Sequence, residues 1–548
     1  MSTNSLASPA ANAALEQRVA SPAMARLATL EWAAVAALLA VGALLRVPNL
    51  QNLPKLTDEM RDAIFSQPIY LGQSFPLANF SSYDGALFNY LEALLFRLVG
   101  PNLQAPRILM LAAGLLTLPL AFLCARRAHG AAAGLLATAM LAVSPVHVLV
   151  NSRVAWGNCL TPLLTTAGFW LVYRAVKAAN EARSGLDRAW NLVPAGFLFG
   201  LALQTHPTVL GFLPGAAAAL VMARPGVLLS RWPWLAGLGF LLGYANMIVF
   251  NLQNDFESIR FAQQTRAEYT GAMPDFGRDY LSHLGTLLAG LFRIIGGAVE
   301  DRASLGAFLF DPLLLFAVAV ALAGLIWTAR RGDRLPLLTV ASAVLLLPLV
   351  NDRYEPVLDG RYLAPLLPLI FAAAAGMLID LWSGAAPRLR GRAVRALCAL
   401  GAAAVLLLPL LGLARYSEQN VAAALRSARL WTALELAERS LPSGTEAVVD
   451  RDLERVVLGA GSTELLAFEY AFTMHQVPYR IVRVTPGGLA ARMESLPAGT
   501  RWLVVMERAK RKLFDPRLKA RQLDLEAVEG DVQPSVYGVY LVRWEAGG

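Results

Sequence analysis

Long apolar runs follow one another along this chain, and the loops between them sort into two chemically different sets. One set is rich in arginine: Arg126–Arg127, the stretches Arg174 to Arg188 and Arg224 to Arg231, Arg330 to Arg334, and Arg388 to Arg395. The other holds acidic, amide and histidine residues: Asp58, Glu59, Asp84, Asn151, Asn158, His206, Asp255, Asp352, Glu355 and Asp359. Lys and Arg resist translocation, so the arginine loops stay in the cytoplasm and the polar set gathers on the outer face. A working site is expected there.

The 548 residues are 56% hydrophobic and only 16% charged, with a mean hydropathy of +0.49. Runs long enough to cross roughly 30 Å of hydrocarbon make the chain polytopic. Its formal net charge of +9 is a topology signal. The basic residues flank spans and form no patch interleaved with aromatics, so nucleic acid is excluded as a partner. Cys124, Cys159 and Cys398 fall in or beside spans and offer neither a disulfide framework nor metal-ligand spacing.

Hydropathy and loop charge predict about eleven transmembrane helices, near 29–47, 104–124, 131–149, 159–176, 192–204, 208–223, 233–251, 309–329, 335–350, 362–382 and 394–414. Residues 1–28, rich in Ala, Ser and Asn, read as a disordered cytoplasmic tail. The Gln204-Thr-His-Pro207 junction predicts a tight outer hairpin or helices that stop below the surface. Amphipathic stretches at Leu87 to Val99 and Tyr280 to Val299 are expected along the membrane surface. From about 416 the pattern changes. A helical stretch from Val421 to Ser440 precedes strand-like runs at 447–450, 479–484, 502–506 and 536–544, with helical patterns at 461–474 and 487–495. The fold class is thus a polytopic α-helical membrane protein, residues 29–415, carrying a soluble α/β domain, 416–548, on the outer side. Gly459-Ala-Gly461 is too short for a dinucleotide fingerprint and reads as a turn before a helix.

Leu56-Thr-Asp-Glu-Met-Arg61 lies about ten residues beyond the first span. Its adjacent carboxylates suit a general base or a divalent-cation site, or a solvated helix start with Thr57 or Asp58 as N-cap. Asp84 in Tyr-Asp-Gly is either a second acidic site residue or a turn former. His206, before Pro207, could bind phosphate or cap the hairpin. Trp156 and Tyr362 suit interfacial anchors or sugar-stacking platforms.

The order of these motifs carries a resemblance. Arg46-Val-Pro-Asn-Leu precedes the Asp58-Glu59 motif. Ser82-Tyr-Asp-Gly-Ala-Leu-Phe-Asn-Tyr90 follows it, then Phe96-Arg-Leu-Val-Gly100 and Pro106-Arg107. Asn151-Ser-Arg-Val-Ala-Trp-Gly-Asn158 and Gly360-Arg-Tyr-Leu-Ala-Pro365 come later. The set, spanning roughly residues 40–380, resembles the GT-C membrane glycosyltransferases, in the branch related to protein O-mannosyltransferases and lipid A aminoarabinose transferase. Two departures stand out. Asp84-Gly-Ala replaces a basic residue before a Pro pair, and Asn158 stands where the family's turn often has Asp.

The resemblance implies transfer of a hexosyl or pentosyl group from a polyprenyl-phosphate donor to an acceptor (protein, glycolipid or polysaccharide) at the outer face of the plasma, or inner, membrane. The C-terminal domain would then be periplasmic or extracellular, and membrane lipids would surround the rest. It implies Asp58 as base, Glu59 as helper or cation ligand and Asp84 as a further acidic group. Arg153, Asn158, His206, Arg361 and Tyr362 would bind substrate. Arg153 and Arg361 are the phosphate candidates because guanidinium matches phosphate oxygens in a fork. Their competing roles are a structural ion pair for Arg153 and snorkelling to headgroups for Arg361. No cofactor is required, although the acidic pair is compatible with a divalent cation. A transporter or lipid flippase is the alternative, with a non-enzymatic scaffold behind it. Transporters place ionisable residues at mid-span and often repeat their halves. Here the helix centres are nearly free of charge and no internal repeat is visible.

Overall fold

The computed structural model describes residues 22–50, 57–102, 104–152, 155–177, 189–270, 276–298, 312–350, 354, 360–384, 389–419, 447–455, 457–459, 462–474, 476–485, 488, 491, 501–507, 518–522 and 537–544. Arg153, Asp352, Glu355, Asp359, the 1–21 tail, the helical stretch expected over Val421 to Ser440 and most of that at 487–495 lie outside the described residues. The first helix starts at Pro22, inside the expected 1–28 tail, and the last long helix runs Leu389–Gln419, just past the expected boundary at 416.

The described residues of the expected spans are largely helical, with breaks at Ser144 and Tyr244. Among the described residues six helices are long and apolar enough to cross a membrane, against the eleven spans expected: Leu27–Asn49, Ala105–His129, Gly157–Val176, Pro312–Arg330, Gly360–Gly384 and Gly391–Tyr416. Trp232–Gly243 and Ala245–Gln253 form a pair bent by 61°. Ala131–Val143, Val209–Ala223 and Leu335–Leu349 are shorter and apolar. The chain is a multi-pass membrane protein.

Local sequence explains the breaks. Gly130 takes φ +91° between Ala105–His129 and Ala131–Val143, a conformation costly for any residue with a Cβ. Pro145 opens the short Pro145–Val150 helix, where its missing N–H is harmless. The Leu192–Thr205 and Trp232–Gly243 helices approach so closely that a Cβ on Gly196 or Gly200 would strike the backbone at Ala236 or Phe240. Small residues are what let membrane helices meet without a hydrophobic driving force. The main core gathers Leu118, Leu141, Phe212, Leu366, Ile370 and Phe371 around the Gly360–Gly384 span.

Among the described residues four amphipathic or polar helices lie outside the spans: Thr57–Tyr70, Leu87–Val99, Glu257–Thr270 and Phe276–Ile295. The second matches an expected surface stretch, and the last overlaps the one expected over Tyr280 to Val299. The C-terminal strands are β1 (Ala447–Asp450), β2 (Val457–Gly459), β3 (Ser462–Thr463), β4 (Tyr479–Val482), β5 (Arg501–Glu507), β6 (Leu518–Gln522) and β7 (Tyr537–Trp544). Five make a mixed sheet in the order β4-β1-β5-β7-β6, parallel from β4 to β5 and antiparallel beyond. β6 was not expected. It is an edge strand carrying Lys519 and Arg521, the composition that keeps a sheet edge from pairing further. Gly459 ends β2 and pairs with Ser462 of β3, ahead of the Glu464–Met474 helix; Ala460 and Gly461 lie outside the described residues.

This domain sits on the acidic helix. Met60, Ala63, Phe96 and Ala105 share one buried cluster with Phe468, Tyr470, Phe472, Met474, Val449 and Val505. The helix that carries Asp58 is therefore held between the membrane bundle and the C-terminal sheet.

Candidate active site

Asp58 and Asp62 lie four residues apart on the Thr57–Tyr70 helix and so share a face. Asp58 is half-buried. Burial raises its pKa, opposed by the positive charges of Arg361 and Arg61. Asp62 is fully buried. Its Oδ1 accepts the side-chain amides of Asn79 (2.7 Å) and Asn89 (3.1 Å). Burial pushes its pKa up to about 7 despite those bonds, and the Asp58 charge adds to the rise.

Asp84 arrives from the loop before the Leu87–Val99 helix. Its backbone forms a turn, with the Asn79 N–H donating to its carbonyl at 2.9 Å and its own N–H donating to Ser81 at 2.8 Å. Its side chain is buried among the other acids. Burial, then the charges of Asp62 and Asp58, raise its pKa well above normal, while Arg361 pulls it down. Asp84 thus does both things the sequence suggested: it shapes a turn and brings a second carboxyl to the site. Gly85 makes this possible. Its N–H donates to the Gln204 carbonyl at 2.7 Å, and a Cβ there would come within 2.6 Å of Gln204 Oε1.

Arg361 faces these acids from the N-terminal end of the Gly360–Gly384 span. It is only 6% exposed, so it does not snorkel. Its Cζ lies 4.2 Å from the Trp156 ring centroid and 4.4 Å from that of Tyr362, and Nη2 donates to the Tyr362 hydroxyl at 2.7 Å. Trp156 and Tyr362, both half-buried, therefore sandwich a guanidinium in the protein. His206 lies against Tyr362 at 4.8 Å between ring centroids, and Tyr83 lies edge-on to His206 at 6.1 Å. The Thr208 N–H donates to His206 Nδ1 at 3.2 Å, so His206 caps the hairpin while its ring faces the site.

From His206 and Tyr362 an apolar cavity of about 600 Å³ runs between helices, lined also by Leu203, Leu210, Tyr244, Ile259 and Leu347. Asn158 is buried in the Gly157–Leu160 turn and its Oδ1 accepts the Cys159 thiol at 3.7 Å. Asn151 ties down the same turn by donating to the Cys159 carbonyl at 3.2 Å.

The structure brings together Asp58, Asp84, Arg361, Tyr362 and His206, with Asn158 in the supporting turn. Glu59 points elsewhere. Its Oε1 accepts Arg107 Nε at 2.8 Å, both side chains being 1% exposed. Arg107 Nη1 also donates to the Asn49 carbonyl at 2.9 Å. Adjacent helical positions diverge by about 100°, so Glu59 serves a buried ion pair and not the Asp58 face. Among the described residues no three His, Cys, Asp or Glu side chains are grouped to hold a metal ion. Sequence reasoning overlooked Asp62, Asn79, Asn89, Glu92 and Arg107. The i, i+4 spacing from Asp58 was the available signal for Asp62, and the i, i+3 pair Asn89/Glu92 for the next helix.

The fold is ArnT-like, with the site at one end of the Gly360–Gly384 span. The chain aligns with the crystal structure of ArnT from Cupriavidus metallidurans bound to undecaprenyl phosphate, over 93% of this chain and 97% of that one, at 14% identity and TM-score 0.53. The apo form of that protein aligns over 94% and 98%, at 15% identity and the same TM-score. The oligosaccharyltransferase of Archaeoglobus fulgidus aligns over 88% and 69%, at 12% identity and TM-score 0.47. Residues 85–250 match the profile of the dolichyl-phosphate-mannose-protein mannosyltransferase family. No curated protein matches the chain in sequence.

Proposed function

We propose that this protein transfers a sugar from a polyprenyl-phosphate donor to an acceptor hydroxyl or amine at the outer face of the membrane. One observation carries the reading: a buried guanidinium, Arg361, stands between two carboxyls, Asp58 and Asp84, and the mouth of an apolar cavity of about 600 Å³. A lipid-linked sugar phosphate needs these three environments together. The apolar cavity takes the isoprenoid tail. Arg361 holds the phosphate, with the rings of Trp156 and Tyr362 shielding it from water and strengthening the charge interaction.

Asp58 accepts the acceptor's proton as the acceptor atom bonds to the anomeric carbon. The bond from that carbon to the phosphate oxygen breaks, and its electrons leave with the polyprenyl phosphate. The ArnT structure with undecaprenyl phosphate and the match to a lipid-phosphate-sugar transferase family support this reading at the level of fold and partial sequence. We place residues 29–415 in the transferase body and 416–548 in an outer domain whose helix braces the Asp58 helix.

The test is release of polyprenyl phosphate from radiolabelled undecaprenyl-phosphate hexoses and pentoses, by purified protein in nanodiscs supplied with acceptor-containing membrane extract. Asp58→Asn should lower turnover by about 10²–10⁴ with donor binding retained. Turnover matching wild type in Asp58→Asn refutes the assignment. Donor lipid crossing the bilayer with no sugar transferred would instead establish a flippase.

A further inference from the structure

Beneath Asp58 lies a second, fully buried polar layer that the sugar-transfer chemistry has not yet used. Asp62, Ser66, Asn89 and Glu92 are all inaccessible to solvent. Ser66 Oγ is 2.9 Å from the Asp62 carbonyl, 2.6 Å from Glu92 Oε2 and 3.1 Å from Asn89 Nδ2. A hydroxyl has one proton to give and two lone pairs to receive with. The shortest of these contacts has the Ser66 hydroxyl donating to Glu92 Oε2 at 2.6 Å. Asn89 Nδ2 lies 3.1 Å from Ser66 Oγ, 3.1 Å from Asp62 Oδ1 and 3.3 Å from the Asp62 carbonyl. Asn79 Nδ2 donates to Asp62 Oδ1 at 2.7 Å.

Ser66 thus ties Glu92 to the Asp62 turn, and Asn89 bridges Ser66 and Asp62. The carboxylate of Asp62 is left as a double acceptor, the state that favours its negative charge.

We propose that Asp62 is a positioning residue for Asp58: held as an anion by Asn79 and Asn89, it raises the basicity of Asp58 one helical turn away. This rests on the reading of Asp58 as the base. The groups facing Asp62 are Asp58 on its own helix, Asp84 on the adjoining loop, Glu92 on the Leu87–Val99 helix, and the Cys159 thiol and Gly157 amide of the 157–160 turn. None of these groups is a cation paired with it. Burial and the Asp62 charge raise Glu92 well above the usual carboxyl range, and burial pushes Asp62 up to about 7. Ionisation of Asp62 is therefore the event that activity should follow near neutral pH.

The experiment is the pH–rate profile for release of polyprenyl phosphate, with donor binding and thermal stability measured on the same samples. Wild-type rate should rise through about pH 7, as Asp62 loses its proton. Asp62→Asn should lose that rise and run about tenfold slower at alkaline pH, since a base works less well as its proton affinity falls. A rise that persists in Asp62→Asn overturns the proposal. Glu92→Gln keeps an acceptor for the Ser66 hydroxyl and should leave the rise at the same pH; a rise lost in that variant shows that Glu92 and not Asp62 titrates, and overturns the proposal. Should Asp62→Asn fail to fold, Asn79→Ala carries the test. Loss of one donor to the Asp62 carboxylate should move the rise to higher pH, and an unmoved rise refutes the role. Activity surviving in Asp58→Asn would sink the base assignment itself. Loss there, with an unchanged Asp62→Asn profile, sinks only this inference.

Discussion

Removing the Arg107 guanidinium should be among the most damaging single changes to this protein, and damaging to stability before chemistry. Arg107 and Glu59 are each 1% exposed and joined at 2.8 Å. Arg107 also holds the Asn49 carbonyl at 2.9 Å, and Asn49 donates to Ser152 Oγ at 3.1 Å. One side chain thus links the acidic helix, the exit of the first span and the turn after the third. Arg107→Leu leaves a carboxylate buried without its counter-charge. Breaking a buried pair from one side costs about 3–5 kcal/mol, which outweighs the packing a leucine would restore. Removing both groups leaves no uncompensated charge from this pair, so Glu59→Leu with Arg107→Leu should cost clearly less than Arg107→Leu alone.

The assay is the monodisperse fraction surviving a heating series in detergent, read beside turnover at low temperature. Arg107→Leu should fall first in the heating series, the double variant should recover much of the loss, and Glu59→Gln should keep measurable turnover per folded molecule. The opposite pattern would refute the reasoning. If Glu59→Gln heats like wild type but loses turnover as completely as Asp58→Asn, then Glu59 acts in the chemistry and the ion pair is incidental.

Two further outcomes follow from the site. Arg361→Lys keeps the charge but loses the planar fork and the broad face that lies over Trp156 and Tyr362. Its affinity for a polyprenyl-phosphate sugar should fall by about 1–2 kcal/mol, and binding equal to wild type would exclude a guanidinium-specific grip. Gly85→Ala would push a methyl to 2.6 Å from Gln204 Oε1 and 2.9 Å from Gln204 Cβ, displacing Asp84. Turnover and stability should both drop, by about 1–3 kcal/mol in stability, and a smaller residue at 204 should restore part of each. A Gly85→Ala variant indistinguishable from wild type would mean that the Asp84 loop is not held by this contact.

The apolar helices were legible because the bilayer imposes long apolar runs, although six, or seven with the bent pair, among the described residues are long enough to cross, against eleven expected. The surface helix Leu87–Val99 and strand β1 were legible for the same kind of reason, a face-selective pattern over enough residues. What hydropathy could not supply was the partner of each polar side chain. Glu59 beside Asp58 looked like half of an acidic pair because sequence shows adjacency. A helix turns adjacent residues apart, and Arg107, 48 positions away, claimed Glu59. Asp62 was hidden by the converse error: four residues away in sequence, it lies on the same face as Asp58. The Asn79, Asn89 and Glu92 layer draws on a loop and a second helix that only the tertiary fold brings against the first. Arg361 shows why an arginine at a helix end is ambiguous. Its setting over Trp156 and Tyr362 depends on a turn far earlier in the chain, and that contact excludes snorkelling. The membrane made the architecture readable from one chain, while the site required the folded neighbourhood, because its chemistry lies in which polar groups are denied water together.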